Sequence, residues 1–295
     1  MLQHLTPESV HPSRVVVIGA GGFVGSAICR RLEAAGIVVA ALTREQIDLS
    51  ANDAADRLRA FLAPGDAVVA AAARAPCRNL DMLIENVVMT RALVAALRDA
   101  PVSHVINISS DAVYADEPVP ITESTPAAPS TLHGSMHLAR EIAFRSEISA
   151  PLAILRPTLL YGAEDPHNGY GPNRFRRAAE AGEDIVLFGR GEERRDHLLI
   201  DDLAEIVLRV LERRSIGVLN VATGEVHSFR EIAKMVAESC GRNATIRETS
   251  RTGRMPHNGY RPFDIGSVRA AFADFECAPL AAGIQRVAER AMNHG

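Results

Sequence analysis

The chain is nearly devoid of lysine: Lys234 stands alone, so almost all positive charge is carried by arginine. Cysteine is scarce too. Cys29, Cys77, Cys240 and Cys277 are scattered, with no C-x-x-C pair among them. That pattern offers neither a zinc-ligand set nor a disulfide framework, and it fits thiols in a reducing compartment. No apolar run approaches the ~18 residues that a membrane-spanning helix needs. Residues 1–13 are polar and hold two prolines and two histidines, unlike a secretory signal, so a cytoplasmic location is expected. An excess of one charge is also lacking. The net charge of −4 supplies no global attraction to nucleic acid or to an anionic membrane, and neither is expected as a partner.

What is present suits a soluble globular protein. The 295 residues are 47% hydrophobic and 23% charged, enough for one large domain or a domain with a smaller lobe. The first half alternates strand and helix signals. Strands are expected at residues 14–18, 38–42, 67–71 and 103–108, and helices from Phe23 to the stop at Gly36, at 53–62 and at 80–98. Such alternation implies βαβ units and a parallel sheet with right-handed crossovers. The second half is less regular: a Gly/Pro/Asn-rich loop over 162–172, a strand near 185–188, and a helix opening at Asp201 and Asp202. Ser228 and Glu231 then form a capping box. The fold expected is α/β, a Rossmann-type doubly wound parallel sheet over residues 1–165. Residues 166–295 would form mostly a smaller C-terminal substrate-binding lobe, with some segments returning to the first domain.

Gly19, Gly21, Gly22 and Gly25 follow the first strand directly and open the first helix. Glycines let the backbone turn sharply and let a pyrophosphate approach the amides, while the helix N-terminus offers free N–H groups to the anion. Alone, the cluster is no more than a tight strand–helix turn; inside a βαβ frame it reads as a dinucleotide site. After the second strand, where NAD binders usually place an acid, the chain has Thr43 and Arg44, with Glu45 beside them. An arginine there can pair with a 2′-phosphate, so NADP is favoured over NAD, although a solvated surface arginine is the plainer alternative.

From about Arg14 onward these residues resemble extended short-chain dehydrogenases/reductases, the family of nucleotide-sugar epimerases, dehydratases and 4-keto reductases. Gly19, Gly22 and Gly25, with Phe23 and Val24 between, match its G-x-x-G-x-x-G. The resemblance places Asp48 and Leu49 near the adenine and Ala71, Ala72 and Ala73 beside the cofactor. Asn86 matches a helix asparagine with a structural role. Ser109, Ser110, Asp111 and Tyr114 are similar to the strand-end motif whose catalytic hydroxyl falls at Ser110. Arg156, Pro157, Tyr161 and Gly162 resemble R-P-x-x-x-Y-G, with Pro157 at the cofactor. By position Arg195 is the arginine that grips a substrate diphosphate and Arg261 a second one, with Tyr170 and Asn173 on the same side. The implied substrate is a nucleotide-linked sugar. Ala112 stands where the dehydratase pattern carries an acid, which disfavours dehydration. Relatives pair through two long helices, so a homodimer joined by helices 80–98 and the one carrying His133 is implied, with Met82, Met89 and Phe144 as contributors to its apolar face.

The family's Y-x-x-x-K dyad is absent. His133 stands in place of the tyrosine and His137 in place of the lysine, and none of the four tyrosines has a lysine four residues on. Imidazole starts at ~6.5, so it needs no lysine to be poised near neutrality. Geometry is the harder requirement, because a histidine ring nitrogen falls ~2 Å short of a tyrosine oxygen from the same Cα. Three readings follow. The first is an active oxidoreductase or epimerase with His133 as acid/base, Ser110 polarising the substrate oxygen and His137 orienting the ribose. The second moves the acid/base to Asp111, His167 or Tyr170. The third is a catalytically silent NADP-binding sensor or partner subunit. His133, His137 and Glu141 share metal-pair spacing, but Gly134 stands where the zincin pattern has glutamate, and no metal is expected. A Ser110–His133–Asp111 triad has no G-x-S-x-G elbow to support it.

Overall fold

A computed structural model describes residues 2–240 and 244–293. Its centre is a six-stranded sheet built from β1 (Val15–Ile18), β2 (Val39–Leu42), β3 (Ala67–Ala70), β4 (His104–Ile108), β5 (Leu152–Pro157) and β10 (Gly217–Val221). The spatial order is β2-β1-β3-β4-β5-β10, and every pairing is parallel. Val15, Val16 and Val17 are fully buried, as are Val68, Val69 and Val105, because a parallel sheet is covered on both faces.

On one face lie α1 (Phe23–Ala34) and α6 (Ile200–Glu212), packed on Val15, Val17, Ile106 and Leu219. On the other lie α2 (Ala54–Phe61), α3 (Leu80–Leu97) and α4 (Leu132–Glu147), which bury Leu58, Leu93, Leu97 and Phe144 against Val16, Val68 and Val105. Each such side chain stabilises the fold by about 1.5–3 kcal/mol. The connection reverses between β1 and β3, the place where open α/β sheets form a crevice at their carboxyl ends.

The remaining elements follow, most of them beside those ends and the short helix over residues 266–271 against β10. They are β6 (Leu159–Tyr161), α5 (Pro172–Ala181), β7 (Ile185–Phe188), β8 (Arg194–Arg195), β9 (His197–Leu199), β11 (His227–Ser228), α7 (Phe229–Ser239), β12 (Ile246–Thr249), β13 (Tyr260–Arg261), α8 (Gly266–Ala271) and α9 (Leu280–Asn293). Phe175, Leu187, Phe229, Ile232 and Ile284 form a second hydrophobic cluster there. The capping box of Ser228 and Glu231 is formed at the head of α7. Among the described residues no helix is long and apolar enough to cross a membrane.

One expectation fails in detail. Phe144 does not face outward; it is fully buried under the sheet. Met89 is half-buried and packs on the same core. The large apolar side chains that α3 and α4 do expose are Leu80, Ile84 and Val87 on the first and Leu132 and Ile142 on the second.

Candidate active site

The turn after β1 is built as a cradle. Gly19 has φ +92°, and a β-carbon there would lie 2.6 Å from the backbone nitrogen of Ala72. At Gly25 a β-carbon would overlap the carbonyl of Gly19, so strand and helix meet at a distance only glycine permits. Helix α1 begins at Gly22 without a side-chain cap, and its first turn holds no acid. The unclaimed N–H groups and the positive end of the helix are therefore available to an anion. These features fit a dinucleotide pyrophosphate.

Two cavities meet at this turn. One, of about 350 Å³, is lined by Thr43, Arg44, Asp48 and Leu49 together with Ala71, Ala72 and Ala73. Arg44 is exposed at its edge and lies 3.3 Å from Asp48. The amide of Ser50, more than Arg44, holds the Asp48 carboxyl below its ordinary range. Asn86 lines neither cavity. Its amide accepts from the backbone N–H of Arg74 at 2.8 Å and donates to the carbonyls of Arg74 and Met82, fixing the segment after β3.

The other cavity, about 500 Å³, is the main cleft. Gly19, Gly22, Phe23, Val24, Gly25 and Pro157 line its side at the glycine turn. Ser110, Asp111, His133 and His137 line its middle, and Tyr170, Asn173, Arg195 and Arg261 its far side. The sequence candidates for catalysis and substrate contact thus share one cavity.

In the middle, the Ser110 hydroxyl accepts from the N–H of Ala112 at 3.1 Å and donates to Asp111 at 3.4 Å. Helix α4 starts at Thr131, whose hydroxyl accepts from Gly134 N–H at 3.1 Å. His133 is thereby its second residue. Its Nδ1 accepts from the backbone N–H of Cys77 at 3.4 Å, and its ring meets that of His137 edge-on at 4.7 Å. Burial holds the His133 imidazole below its ordinary range; Asp111 pulls the other way and His167 adds to the lowering. Burial does the same more strongly to His137, with His133 and Arg140 contributing, and the Nδ1 of His137 is sealed off without a partner among the described residues. Glu141 does not join the two histidines. It is fully buried and accepts from Ser109 at 2.6 Å and from Arg156 at 2.6 and 2.8 Å.

On the far side both expected phosphate arginines are already held by the protein. Arg195 pairs with Glu193 at 2.5 Å and donates to the carbonyl of Pro256 at 2.6 Å. Arg261 reaches Asp111 at 3.2 Å and Asp116 at 3.1 Å, and Asp116 also meets His257 at 2.5 Å. Asn173 is spent on the backbone of Gly162 and on Asp165, and the Tyr170 hydroxyl accepts from the N–H of Phe188. Neighbouring Asp196 is pushed up to about 6 by burial, although Thr158, Thr223 and Gly224 all donate to it.

Sequence reasoning passed over several residues of this site. His197 and His257 line the cleft, and both ring nitrogens of His197 are buried. Arg140, 3% exposed, has no carboxylate among its hydrogen-bond partners in the described residues and donates to the carbonyls of Ala70 and Ala72 beside the glycine turn. Only Gly134 carried a sequence signal: a glycine near a helix start, where an alanine would be about 1 kcal/mol more helix-favouring, marks a close approach.

Comparison with known proteins agrees with this architecture. A sequence model of the NAD dependent epimerase/dehydratase family matches residues 15–222. A dTDP-4-dehydro-6-deoxy-D-allose reductase from Streptomyces bikiniensis is 31% identical, covering 95% of this chain and 96% of that one. A putative GDP-L-fucose synthase 2 from Oryza sativa subsp. japonica is 30% identical over 85% of this chain and 82% of its own. Among solved structures, a GDP-L-fucose synthetase from Naegleria fowleri bound to NADP superposes with a TM-score of 0.82 at 19% identity, covering 99% of this chain and 97% of that one. A UDP-glucose 4-epimerase from Thermotoga maritima gives 0.81 at 20% identity, over 95% and 99%. With a Rossmann-type sheet, a glycine cradle at its switch point and a family model spanning well over half of its residues, the chain belongs to the NAD dependent epimerase/dehydratase family.

Proposed function

We propose that the protein is an NAD(P)-dependent oxidoreductase or epimerase that moves a hydride at a carbon of a nucleotide-linked sugar. One observation carries this reading: the glycine cradle, the pair Ser110 and His133, and the arginines Arg195 and Arg261 all line a single cleft. Relatives at about this identity include a dTDP-sugar reductase and a putative GDP-fucose synthase. A binder of cofactor alone would have no use for two buried arginines at the opposite wall.

Each residue has a part in this proposal. Gly19, Gly22, Phe23, Val24 and Gly25 hold the pyrophosphate, and Asp48, Leu49 and Ala71 to Ala73 enclose the adenosine. Thr43 and the exposed Arg44 meet a 2′-phosphate, which favours NADP. Pro157 flanks the nicotinamide, and His137 faces its ribose. The bound dinucleotide supplies or accepts the hydride. Ser110 and His133 handle the substrate oxygen, while Arg195 and Arg261 exchange their carboxylate partners for the diphosphate. Tyr170 and Asn173 shape the sugar side, and the elements beyond residue 166, apart from β10 and the helices α6 and α8 that pack on the central sheet, form the substrate lobe. The exposed stripe of Leu80, Ile84 and Val87, at helical spacing, is the dimer face.

The test is turnover of the purified protein with NADPH or NAD against dTDP-, GDP- and UDP-linked sugars and their 4-keto forms. The expected result is activity on at least one, abolished by His133→Ala with cofactor affinity near wild type. Full activity of His133→Ala would move the chemistry to another residue, and no turnover with any would overturn the reading.

A further inference from the structure

We infer that His133 works as a neutral imidazole, protonated on Nε2, that donates a hydrogen bond to the reacting oxygen of the substrate, and not as an imidazolium acid. The inference rests on the functional reading above and gives its least conventional residue a defined state.

The first ground is a hydrogen bond. A backbone N–H can only donate, and that of Cys77 points at Nδ1 of His133 from 3.4 Å. Nδ1 must keep its lone pair to accept, so the neutral ring carries its proton on Nε2. A second proton would set two N–H groups against each other. Cys77 is itself fixed, 5% exposed, with its thiol directed to the carbonyl of Asn79.

The second ground is position. His133 is the second residue of α4, a helix of 16 residues, where the aligned peptide dipoles present partial positive charge. The close approach of Gly134 to Ala112 and Pro129 pins that helix start beside Ser110 and Asp111. A neutral histidine at a helix N-terminus is a known way of making an electrophile that polarises a carbonyl without becoming charged.

The third ground is the surrounding charge. On its own helix His133 meets the edge of His137, with the cationic Arg140 behind. His167, from the loop before α5, adds a further basic ring. The turn after β4 presents Ser110 and Asp111. Asp111 is the carboxylate that acts on His133, and it is already engaged by Ser110 at 3.4 Å and by Arg261 at 3.2 Å. Among the described residues no carboxylate hydrogen-bonds to the His133 ring. Burial, the helix end and the basic ring of His167 favour the uncharged form against the pull of Asp111, and the depressed pKa of His133 is in keeping with this.

The chemistry that follows is balanced without an acid on the ring. As hydride reaches the carbonyl carbon, the C=O π pair moves onto oxygen, and the oxyanion is held by Nε2–H and by the Ser110 hydroxyl, which rotates its one proton from Asp111 to the substrate. Water in the cleft then supplies the proton, leaving hydroxide to solvent; oxidation of an alcohol runs the same steps backwards. Two aimed neutral donors are the arrangement of an oxyanion hole, where loss of one donor costs roughly 100- to 1,000-fold in turnover.

The deciding experiment is nitrogen-15 NMR of the ligand-free full chain labelled at histidine, with His133→Gln identifying the resonances. The expected result is a pyridine-type Nδ1 and a protonated Nε2 on His133 at neutral pH, with imidazolium forming only at a pH below that of an unperturbed histidine. A proton on Nδ1, or an imidazolium at neutral pH, would overturn the inference. This readout is independent of turnover, so an inactive protein with the expected tautomer would sink the functional reading alone. Where turnover is found, kcat should hold steady from about pH 6.5 to 8 and fall on the acid side as His133 gains a proton. A fall on the alkaline side with an apparent pKa near ~6.5 would mark an imidazolium acid and overturn the inference as well.

Discussion

Gly134 and Ala112 meet backbone to backbone: a β-carbon on Gly134 would overlap the carbonyl oxygen of Ala112 and lie 2.6 Å from the side chain of Pro129. This contact joins the first turn of α4 to the turn that follows β4, and it sets His133 beside Ser110. The Gly134→Ala variant gains helix propensity yet must push the two segments apart. It is expected to lose about 1–3 kcal/mol of stability by urea denaturation. Turnover should drop at least about tenfold, since small misplacements of catalytic groups are costly. A variant as stable and as active as wild type would show that the contact does not position the site.

Arg44 stands at the rim of the 350 Å³ cavity beside the glycine turn, with Asp48 3.3 Å away. Removing it in Arg44→Ala should weaken NADPH binding about tenfold, or about 1.4 kcal/mol, and leave NADH nearly unchanged. Equal losses for both cofactors, measured by fluorescence titration, would remove the 2′-phosphate from its role.

His197 gives a stability prediction with a defined sign. Burial pushes its imidazole down to about 3, whereas an unfolded histidine titrates near ~6.5. Between those values the unfolded chain binds a proton that the native chain refuses. The native advantage is therefore complete above ~6.5 and is lost progressively as pH falls, by about 1.4 kcal/mol per unit. His104, lowered to about 4 by burial, acts in the same direction. Asp196 and Asp202, both raised to about 6, oppose it by favouring the native state as acid is added. These three are common to wild type and His197→Phe, so their difference isolates His197. On going from pH 7 to pH 5 the variant should lose about 2 kcal/mol less than wild type in urea denaturation. Parallel losses would mean that His197 is protonated in the folded protein.

Ile84 and Val87 are 54% and 52% exposed on one stripe of α3. A double change to glutamate on that stripe should convert a dimer into a monomer in sedimentation, with little effect on the monomer's own core. A wild-type chain that sediments as a monomer at micromolar concentration would show that another partner, or none, covers the face.

Much of this was legible in the sequence, for identifiable reasons. The first strand, expected at 14–18, is Val15–Ile18, and the long helix expected at 80–98 is Leu80–Leu97, because local periodicity and a glycine turn decide such elements. The capping box at Ser228 is equally local. What escaped depends on packing between distant segments. The strand Gly217–Val221 completes the sheet beside β5, but its short run gave no signal of its own. Phe144 was assigned to an outer face because helical periodicity marks a stripe without saying what covers it; in the fold it shares the sheet-facing side with Arg140 and Glu141. The tautomer of His133 is set by the amide of Cys77, 56 positions away, and no reading of local pattern could supply that.

The most direct measurement is a calorimetric titration of the ligand-free protein with NADPH, NADP, NADH and NAD. The expected result is saturable heat of binding with at least one pyridine nucleotide, tightest for NADPH and sharply reduced by Gly19→Val, whose side chain would occupy the space taken by Ala72. No heat with any of the four, from a folded protein, would contradict the account at its root.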